Sequence, residues 1–250
     1  MSNVMTETFG QIFSDPFFIA GPCAVENYDM LDKITEYLVS KNIAVIRAGA
    51  FKPRTSPEAF QGLGIEGLKI IGQIRKKYSV KFVSEIIDLK YLTVICDNVD
   101  ILQVGSRNMF HYELLKELGK IGHPIILKRG LCATLYEYIQ AAQYILQGGN
   151  QHLILCERGI RSYDASTRNI LDLSAVAILK KETTMPVMVD ISHSLGRKDI
   201  AVPMSRAALA AGADGIMVEV HNNPDKALSD PSQQMSLLEF DSYYNALNFQ

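Results

Sequence analysis

Cys23, His193 and Glu219 lie far apart in the chain, and each closes an apolar run. Thiolate, imidazole and carboxylate together make a mixed S/N/O donor set. Such a set suits a borderline divalent transition metal (Mn2+, Fe2+, Co2+ or Zn2+) better than Mg2+ or Ca2+, which favour all-oxygen shells. Asp230, in the stretch ALSDPSQ, could complete it. Taken singly these residues say little: a lone cysteine is more often a small buried apolar group than a ligand. The same is true of the cations. Arg47, Lys52, Arg54, Arg107, Lys128, Arg129 and Arg158 each stand at or just after the end of an apolar run. Converging on one place, several of them would form a receptor for more than one phosphate or carboxylate, because Arg binds such groups bidentately and Lys acts as a point charge.

What could bring them together is the alternation of the chain. Short apolar runs, rich in Val and Ile, fall at 17–25, 43–49, 80–86, 101–105, 124–129, 153–158, 186–192 and 215–220. Near-continuous apolarity is the mark of strands buried on both faces. Helical patterns separate them. Leu135, Tyr138, Ile139, Ala142 and Leu146 make one apolar face, with Thr134 as N-cap, Glu137 three residues on, and Gly148-Gly149 as the stop. A second helix over 197–212 would stop at Gly212. Eight strands alternating with helices in about 250 residues predict a (β/α)8 TIM barrel, whose active site lies at the C-terminal ends of its strands. The rival is a doubly wound sheet. Gly62, Gly64 and Gly67 form a G-x-G-x-x-G, with Glu85 about 20 residues on, but a dozen residues separate them from the preceding strand. A dinucleotide site needs them directly after it. They are read as a turn and a close-packed helix start.

The chain has 250 residues with 25 basic and 27 acidic side chains, a formal net charge of −2. That balance argues against nucleic acid and membrane surfaces as partners. No apolar run approaches the roughly 20 residues needed to span a bilayer. The start, MSNVMTETFGQ, has no signal core, and the four cysteines contain no CxxC, so a reduced, cytoplasmic protein is expected. Cys96, Cys132 and Cys156 gain no support from the rim, and Met188, Met204 and Met217 read as packing residues. A single domain over 1–250 is expected, with 1–16 a short N-terminal segment.

The stretches GPCAVE (21–26), RAGAFKPRTSP (47–57), FQGLG (60–64), QVGSRN (103–108), LKRG (127–130), CERGIR (156–161) and AGADGIMVEVH (211–221) closely resemble the 3-deoxy-D-arabino-heptulosonate 7-phosphate (DAHP) synthases. The compact type is meant, related to 3-deoxy-D-manno-octulosonate 8-phosphate synthase. The likeness runs over about residues 17–240 in family order. The loop Lys52-Pro53-Arg54-Thr55-Ser56 is similar to that of the heptulosonate enzymes, where Pro-Arg-Thr grips erythrose 4-phosphate; the octulosonate enzymes carry Ala-Asn-Arg-Ser there.

The resemblance implies condensation of phosphoenolpyruvate with erythrose 4-phosphate and water, the first step of the shikimate pathway. It implies one divalent metal ion, with Mn2+ the first choice, held by Cys23, His193, Glu219 and Asp230. Arg47, Lys52, Arg107, Lys128 and Arg158 would surround phosphoenolpyruvate. Pro53, Arg54, Thr55 and Ser106 would face erythrose 4-phosphate. Gln103 and Glu157 would support these from behind, and Lys52, Cys23 and His193 would be the catalytic groups. A homodimer or homotetramer is implied. No ferredoxin-like regulatory domain and no fused chorismate mutase is seen, which implies an enzyme insensitive to aromatic amino acids or one served by a separate chorismate mutase partner. Three alternatives stand beside this reading. They are octulosonate synthesis from arabinose 5-phosphate, a Schiff-base barrel aldolase using Lys52 or Lys128, and a non-catalytic paralogue that binds sugar phosphates.

Overall fold

A computed structural model describes residues 16–247. The expected N-terminal segment therefore lies almost wholly outside the described residues. Eight parallel strands close on themselves in sequence order, each hydrogen-bonded to the next and β8 back to β1. They are β1 Phe17–Gly21, β2 Val45–Arg47, β3 Lys81–Glu85, β4 Ile101–Val104, β5 Ile125–Lys128, β6 Leu153–Glu157, β7 Val187–Asp190 and β8 Gly215–Glu219. The expected (β/α)8 barrel is the one found, and the doubly wound sheet is excluded.

Around the barrel run α1 Tyr28–Ser40, α2 Ile65–Tyr78, α3 Leu92–Asn98, α4 Tyr112–Leu118, α5 Leu135–Gln147 and α6 Leu173–Glu182. The ring continues with the short α7 Ile191–Leu195, then α8 Ala201–Ala210 and α9 Leu237–Leu247. Thr134 and Glu137 form the full capping box of α5, and Gly212 takes a left-handed φ of 100° just past α8. The G-x-G-x-x-G is indeed a turn and helix start. A Cβ on Gly62 would come within 2.2 Å of the Ala50 carbonyl, at a φ of 90° that L-residues avoid.

Strands end earlier than the apolar runs. The first run continues to residue 25, but β1 stops at Gly21 because Pro22 has no N–H to donate. Cys23 thus sits in the loop after β1. The seventh run continues to residue 192, but β7 stops at Asp190, whose side chain accepts from the His193 backbone N–H and starts α7, so His193 lies on that helix.

Two cores follow from the pleat. Successive side chains of a strand face opposite ways. Phe17, Ile19, Val45, Val83, Ile101, Ile126, Ile154, Cys156, Met188 and Met217 fill the barrel interior. The alternate positions, among them Phe18, Ala20, Ile46, Phe82, Leu102, Leu127, Leu155 and Val218, pack outward under the helices. Cys156, Met188 and Met217 are interior packing residues, as expected.

Candidate active site at the mouth of the barrel

Continuing the inward parity by one step along each strand reaches the site. Val45 is followed inward by Arg47, Val83 by Glu85, and Ile101 by Gln103. Ile126 leads to Lys128, Cys156 to Arg158, Met188 to Asp190 and Met217 to Glu219. Apolar residues fill the barrel below this layer. The layer itself is polar and caps it at the C-terminal face, where (β/α)8 proteins hold their reactive groups.

The sulfur of Cys23, a ring nitrogen of His193 and carboxylate oxygens of Glu219 and Asp230 all lie within 4.8 Å of one another. Cys23 Sγ is 3.3 Å from Asp230 Oδ2, and His193 Nε2 is 3.5 Å from Glu219 Oε1. Cys23 and Glu219 are fully buried. Glu219 Oε2 accepts a hydrogen bond from Gln233 Nε2 at 2.6 Å. Glu219 Oε1 lies 2.9 Å from Arg47 Nη2 but has no aligned hydrogen-bond donor. A buried carboxylate oxygen without a bonded donor is costly unless a cation takes its lone pair. The donor set, its convergence and that open oxygen fit a single divalent metal ion.

Charge in this cluster is tightly coupled. Burial, and then the Glu219 carboxylate, push the Cys23 thiol up to about 12. Burial drives His193 down to about 4, although Asp190 and Glu219 oppose it, so the imidazole is neutral at pH 7. Burial raises the Asp230 carboxyl, but the cations of Lys52 and Arg168 outweigh it and hold it at about 2. Burial likewise works against the Lys52 ammonium, but the charge it would meet on Cys23 as a thiolate and the Glu219 carboxylate outweigh burial and raise it above the usual lysine value.

Beside the cluster opens a cavity of about 450 Å³. Arg47, Lys52, Arg54, Arg107, Lys128, Arg158, Arg161 and Arg168 line it, against the acids Glu85 and Asp230. Such an excess of cations recruits anions, and the low-dielectric wall strengthens the attraction. Pro53, Thr55 and Ser106 share the lining, and Arg107 Nη2 reaches Thr55 Oγ1 at 3.5 Å. Gln103 donates to Glu85 Oε2 at 3.4 Å.

Some rim residues turn elsewhere. Arg129 has outward parity, and its guanidinium pairs with Glu157 and Asp172, each at 2.9 Å. Glu157, expected to back the site, faces the same way, and its Oε1 accepts from the backbone N–H groups of Arg158 and Gly159. Its support for the cavity is through the main chain that carries Arg158. Glu26 and His221 face each other at 3.4 Å.

The sequence reading gave no role to Asp190, Arg161, Arg168, Gln233 or Gln234. Asp190 is fully buried and carries the ammonium of Lys128, His193 Nδ1 at 2.8 Å and Arg47 Nη1 at 3.6 Å. Gln234 Oε1 accepts from the Cys23 backbone N–H at 2.9 Å. Inward parity on β7 would have pointed to Asp190. The glutamines sit in an irregular loop, where spacing carries no such signal.

A closed barrel whose mouth joins a four-donor cluster to an anion-receptive cavity defines the class to which this chain conforms. Residues 13–248 match the model of the DAHP synthetase I family, and the chain belongs to that family. It is 47% identical over 217 residues to the phospho-2-dehydro-3-deoxyheptonate aldolase of Thermotoga maritima, covering 87% of this chain and 64% of that relative. The chain thus spans less than two thirds of that relative's length. A crystal structure of phospho-2-dehydro-3-deoxyheptonate aldolase (DAHP synthase) from Thermotoga maritima superposes with a TM-score of 0.88 at 45% identity, over 91% of this chain and 67% of that one. A truncated form of the Thermotoga 3-deoxy-D-arabino-heptulosonate 7-phosphate synthase gives 0.84 at 41%, over 91% and 83%. The 2-dehydro-3-deoxyphosphooctonate aldolase of Alkalilimnicola ehrlichii is 29% identical over 232 residues, 86% of this chain and 83% of that one.

Proposed function

We propose that this protein is a metal-dependent 3-deoxy-7-phosphoheptulonate synthase, joining phosphoenolpyruvate to erythrose 4-phosphate. One observation carries the reading: the Cys23, His193, Glu219 and Asp230 donors converge beside a cavity lined by eight cations. C3 of phosphoenolpyruvate bonds to the aldehyde carbon, water adds at C2, and the resulting phosphohemiketal loses phosphate by C–O cleavage. A divalent metal held by the four donors supplies Lewis-acid polarisation of the aldehyde oxygen. Mn2+ is the metal proposed, with Fe2+, Co2+ and Zn2+ as the other candidates.

The chain's own groups do the rest. Arg47, Arg107, Lys128 and Arg158 hold phosphoenolpyruvate and stabilise the charge of the departing phosphate. Lys52, protonated between Cys23 and Glu219, donates a proton at the aldehyde oxygen as it becomes a hydroxyl. Pro53, Arg54, Thr55 and Ser106 receive the aldose phosphate, with Gln103 and the Glu157 backbone turn behind. Orienting two anions in one cavity contributes a large share of the rate, since effective molarities for well-placed reactants reach roughly 10⁵ M or more.

Arg54 favours the shorter aldose over arabinose 5-phosphate. Its Nη2 lies 3.6 Å from Asp230 Oδ1, so the phosphate anchor stands close to the reacting end. The higher identity to the heptonate relative than to the octonate relatives agrees. A Schiff base is disfavoured because it needs a neutral amine. Lys52 is held protonated, and Lys128 is locked in a buried ion pair with Asp190. The reading extends to a cytoplasmic homodimer or homotetramer, with a separate chorismate mutase as its candidate partner. Among the described residues no helix is long and apolar enough to cross a membrane.

Phosphate release from phosphoenolpyruvate tests the reaction, with erythrose 4-phosphate against arabinose 5-phosphate, with and without EDTA. Erythrose 4-phosphate should be preferred and EDTA should abolish turnover. Undiminished activity in EDTA, with inactivation by borohydride, would establish the Schiff-base mechanism instead.

A further inference from the structure

Glu219 has two carboxylate oxygens in different situations, and the difference traces to a side chain that the reaction does not use. Oε2 accepts from Gln233 Nε2 at 2.6 Å, and Gln233 Oε1 accepts from Arg168 Nη1 at 2.7 Å. Arginine has only donors, so it fixes which end of the Gln233 amide faces it. The amide must present oxygen to Arg168 and therefore nitrogen to Glu219. Gln233 and Glu219 are buried, while Arg168 reaches the cavity and has 37% of its side chain exposed. Oε2 is thereby satisfied, and Oε1, which has no aligned donor, faces His193 Nε2 at 3.5 Å and the Arg47 guanidinium at 2.9 Å.

The same segment is stitched to the other donors. Arg168 Nη1 is 3.6 Å from Asp230 Oδ2. The backbone N–H groups of Arg168 and Asn169 donate to the carbonyls of Leu195 and Ser194 at 2.8 and 2.9 Å. Asn169 Nδ2 donates to the His193 carbonyl at 2.9 Å. The loop between β6 and α6 therefore touches the seats of three of the four donors.

We propose that Arg168 and Gln233 form a positioning relay, in which Arg168 sets the polarity of the Gln233 amide and Gln233 saturates Glu219 Oε2, leaving Oε1 to bind the metal. The relay rests on the reading of Cys23, His193, Glu219 and Asp230 as a divalent-metal site. Groups one bond removed from a metal ligand orient it, and their loss commonly costs 10- to 100-fold in metal affinity.

Titration of the metal-free protein with Co2+, followed by its visible d–d bands and the thiolate-to-cobalt charge-transfer band, tests the relay. Gln233→Met keeps length and removes both hydrogen bonds. It should bind Co2+ about tenfold or more weakly. The d–d bands should shift while the charge-transfer band persists, and the melting temperature without metal should fall, because buried Glu219 Oε2 loses its donor. Arg168→Met should weaken Co2+ binding less, because the freed amide can turn either way, and it carries the same readout should Gln233→Met not fold. Wild-type affinity and spectrum in these variants would overturn the relay alone. A wild-type protein that takes up no Co2+ would overturn the metal reading, and the relay with it.

Discussion

Asp190 Oδ2 stands 2.8 Å from His193 Nδ1, while its backbone position starts the short helix that carries that histidine. One residue thus sets both where the imidazole sits and which nitrogen bears its proton. With Nδ1 donating to Asp190, the neutral ring turns an unprotonated Nε2 toward Glu219 and the donor cluster. Asp190 also neutralises Lys128 and approaches Arg47, so the donor cluster and the cations of the cavity share one buried anion.

Replacing Asp190 with Asn should therefore harm both halves of the site. The isosteric amide leaves Lys128 buried without its anion, and breaking such a pair costs about 3–5 kcal/mol. It also removes the acceptor that fixes the His193 tautomer. Urea unfolding of the metal-free variant should show a loss of that size, with weaker metal uptake. A midpoint within error of wild type would mean that Asp190 does not hold the cluster together.

The ionisation states fix a proton count. At pH 7 the Cys23 thiol, at about 12, carries its proton. His193, at about 4, is already neutral, and Asp230, at about 2, is already ionised. Glu219 is ionised as well: burial raises it, but an imidazolium at His193 in acid, and the Arg47 and Lys52 cations throughout, outweigh burial and lower it. A ligating thiol must be deprotonated, so binding a divalent cation should release about one proton, from Cys23 alone. Calorimetry in two buffers of different ionisation enthalpy measures the number. Cys23→Ala should release about none and bind far more weakly. A release near two would place a protonated second ligand in the cluster.

The barrel was legible in the sequence because its strands are buried on both faces and read as unbroken apolar runs. The donors were legible because Cys23, His193 and Glu219 interrupt or close those runs. Asp190 stood at a run end too, but a carboxylate there has many ordinary explanations, and only its inward parity after Met188 marks it. Arg129 shows the converse. It follows Lys128 directly and looked like part of the rim, yet one residue of offset turns it outward to Glu157 and Asp172. Gln233 and Arg168 were beyond reach because their contact joins irregular loops 65 residues apart.

Acid should destabilise the metal-free protein earlier than its carboxylates alone would. His193 is depressed to about 4 in the folded state against 6.5 in an unfolded chain. Between those values the unfolded state binds more protons, so stability rises with pH there. The contribution is fully present above pH 6.5 and is lost as pH falls toward 4. With solvent reaching 13% of the side chain, it amounts to at most about 3 kcal/mol. Asp230 follows the usual carboxylate sense, losing its contribution from about pH 4 down to about 2. Chemical unfolding from pH 7.5 to 4.5 should show the decline, and His193→Gln should flatten it. An equally steep decline in that variant would assign the titration to another group.

Gly105 offers a way to disturb the chemistry while sparing the fold. It follows β4 at an ordinary negative φ of −70°, so alanine meets no backbone strain. A Cβ there would lie 2.1 Å from Glu85 Oε1, which cannot persist. The carboxylate must swing away from β4, and it lines the cavity beside Lys52, Lys128 and Arg107. Burial raises the Glu85 carboxyl, and those three cations oppose it, so moving it alters the field felt by an anion in the cavity. Gly105→Ala should lose no more than about 1 kcal/mol of stability, the usual scale for a change that a flexible side chain can absorb. Its kcat/KM should fall tenfold or more, the equivalent of about 1.4 kcal/mol in transition-state binding. Metal affinity should stay near wild type, since Glu85 is not among the four donors. Full activity in a folded Gly105→Ala would show that the placement of Glu85 does not matter to turnover.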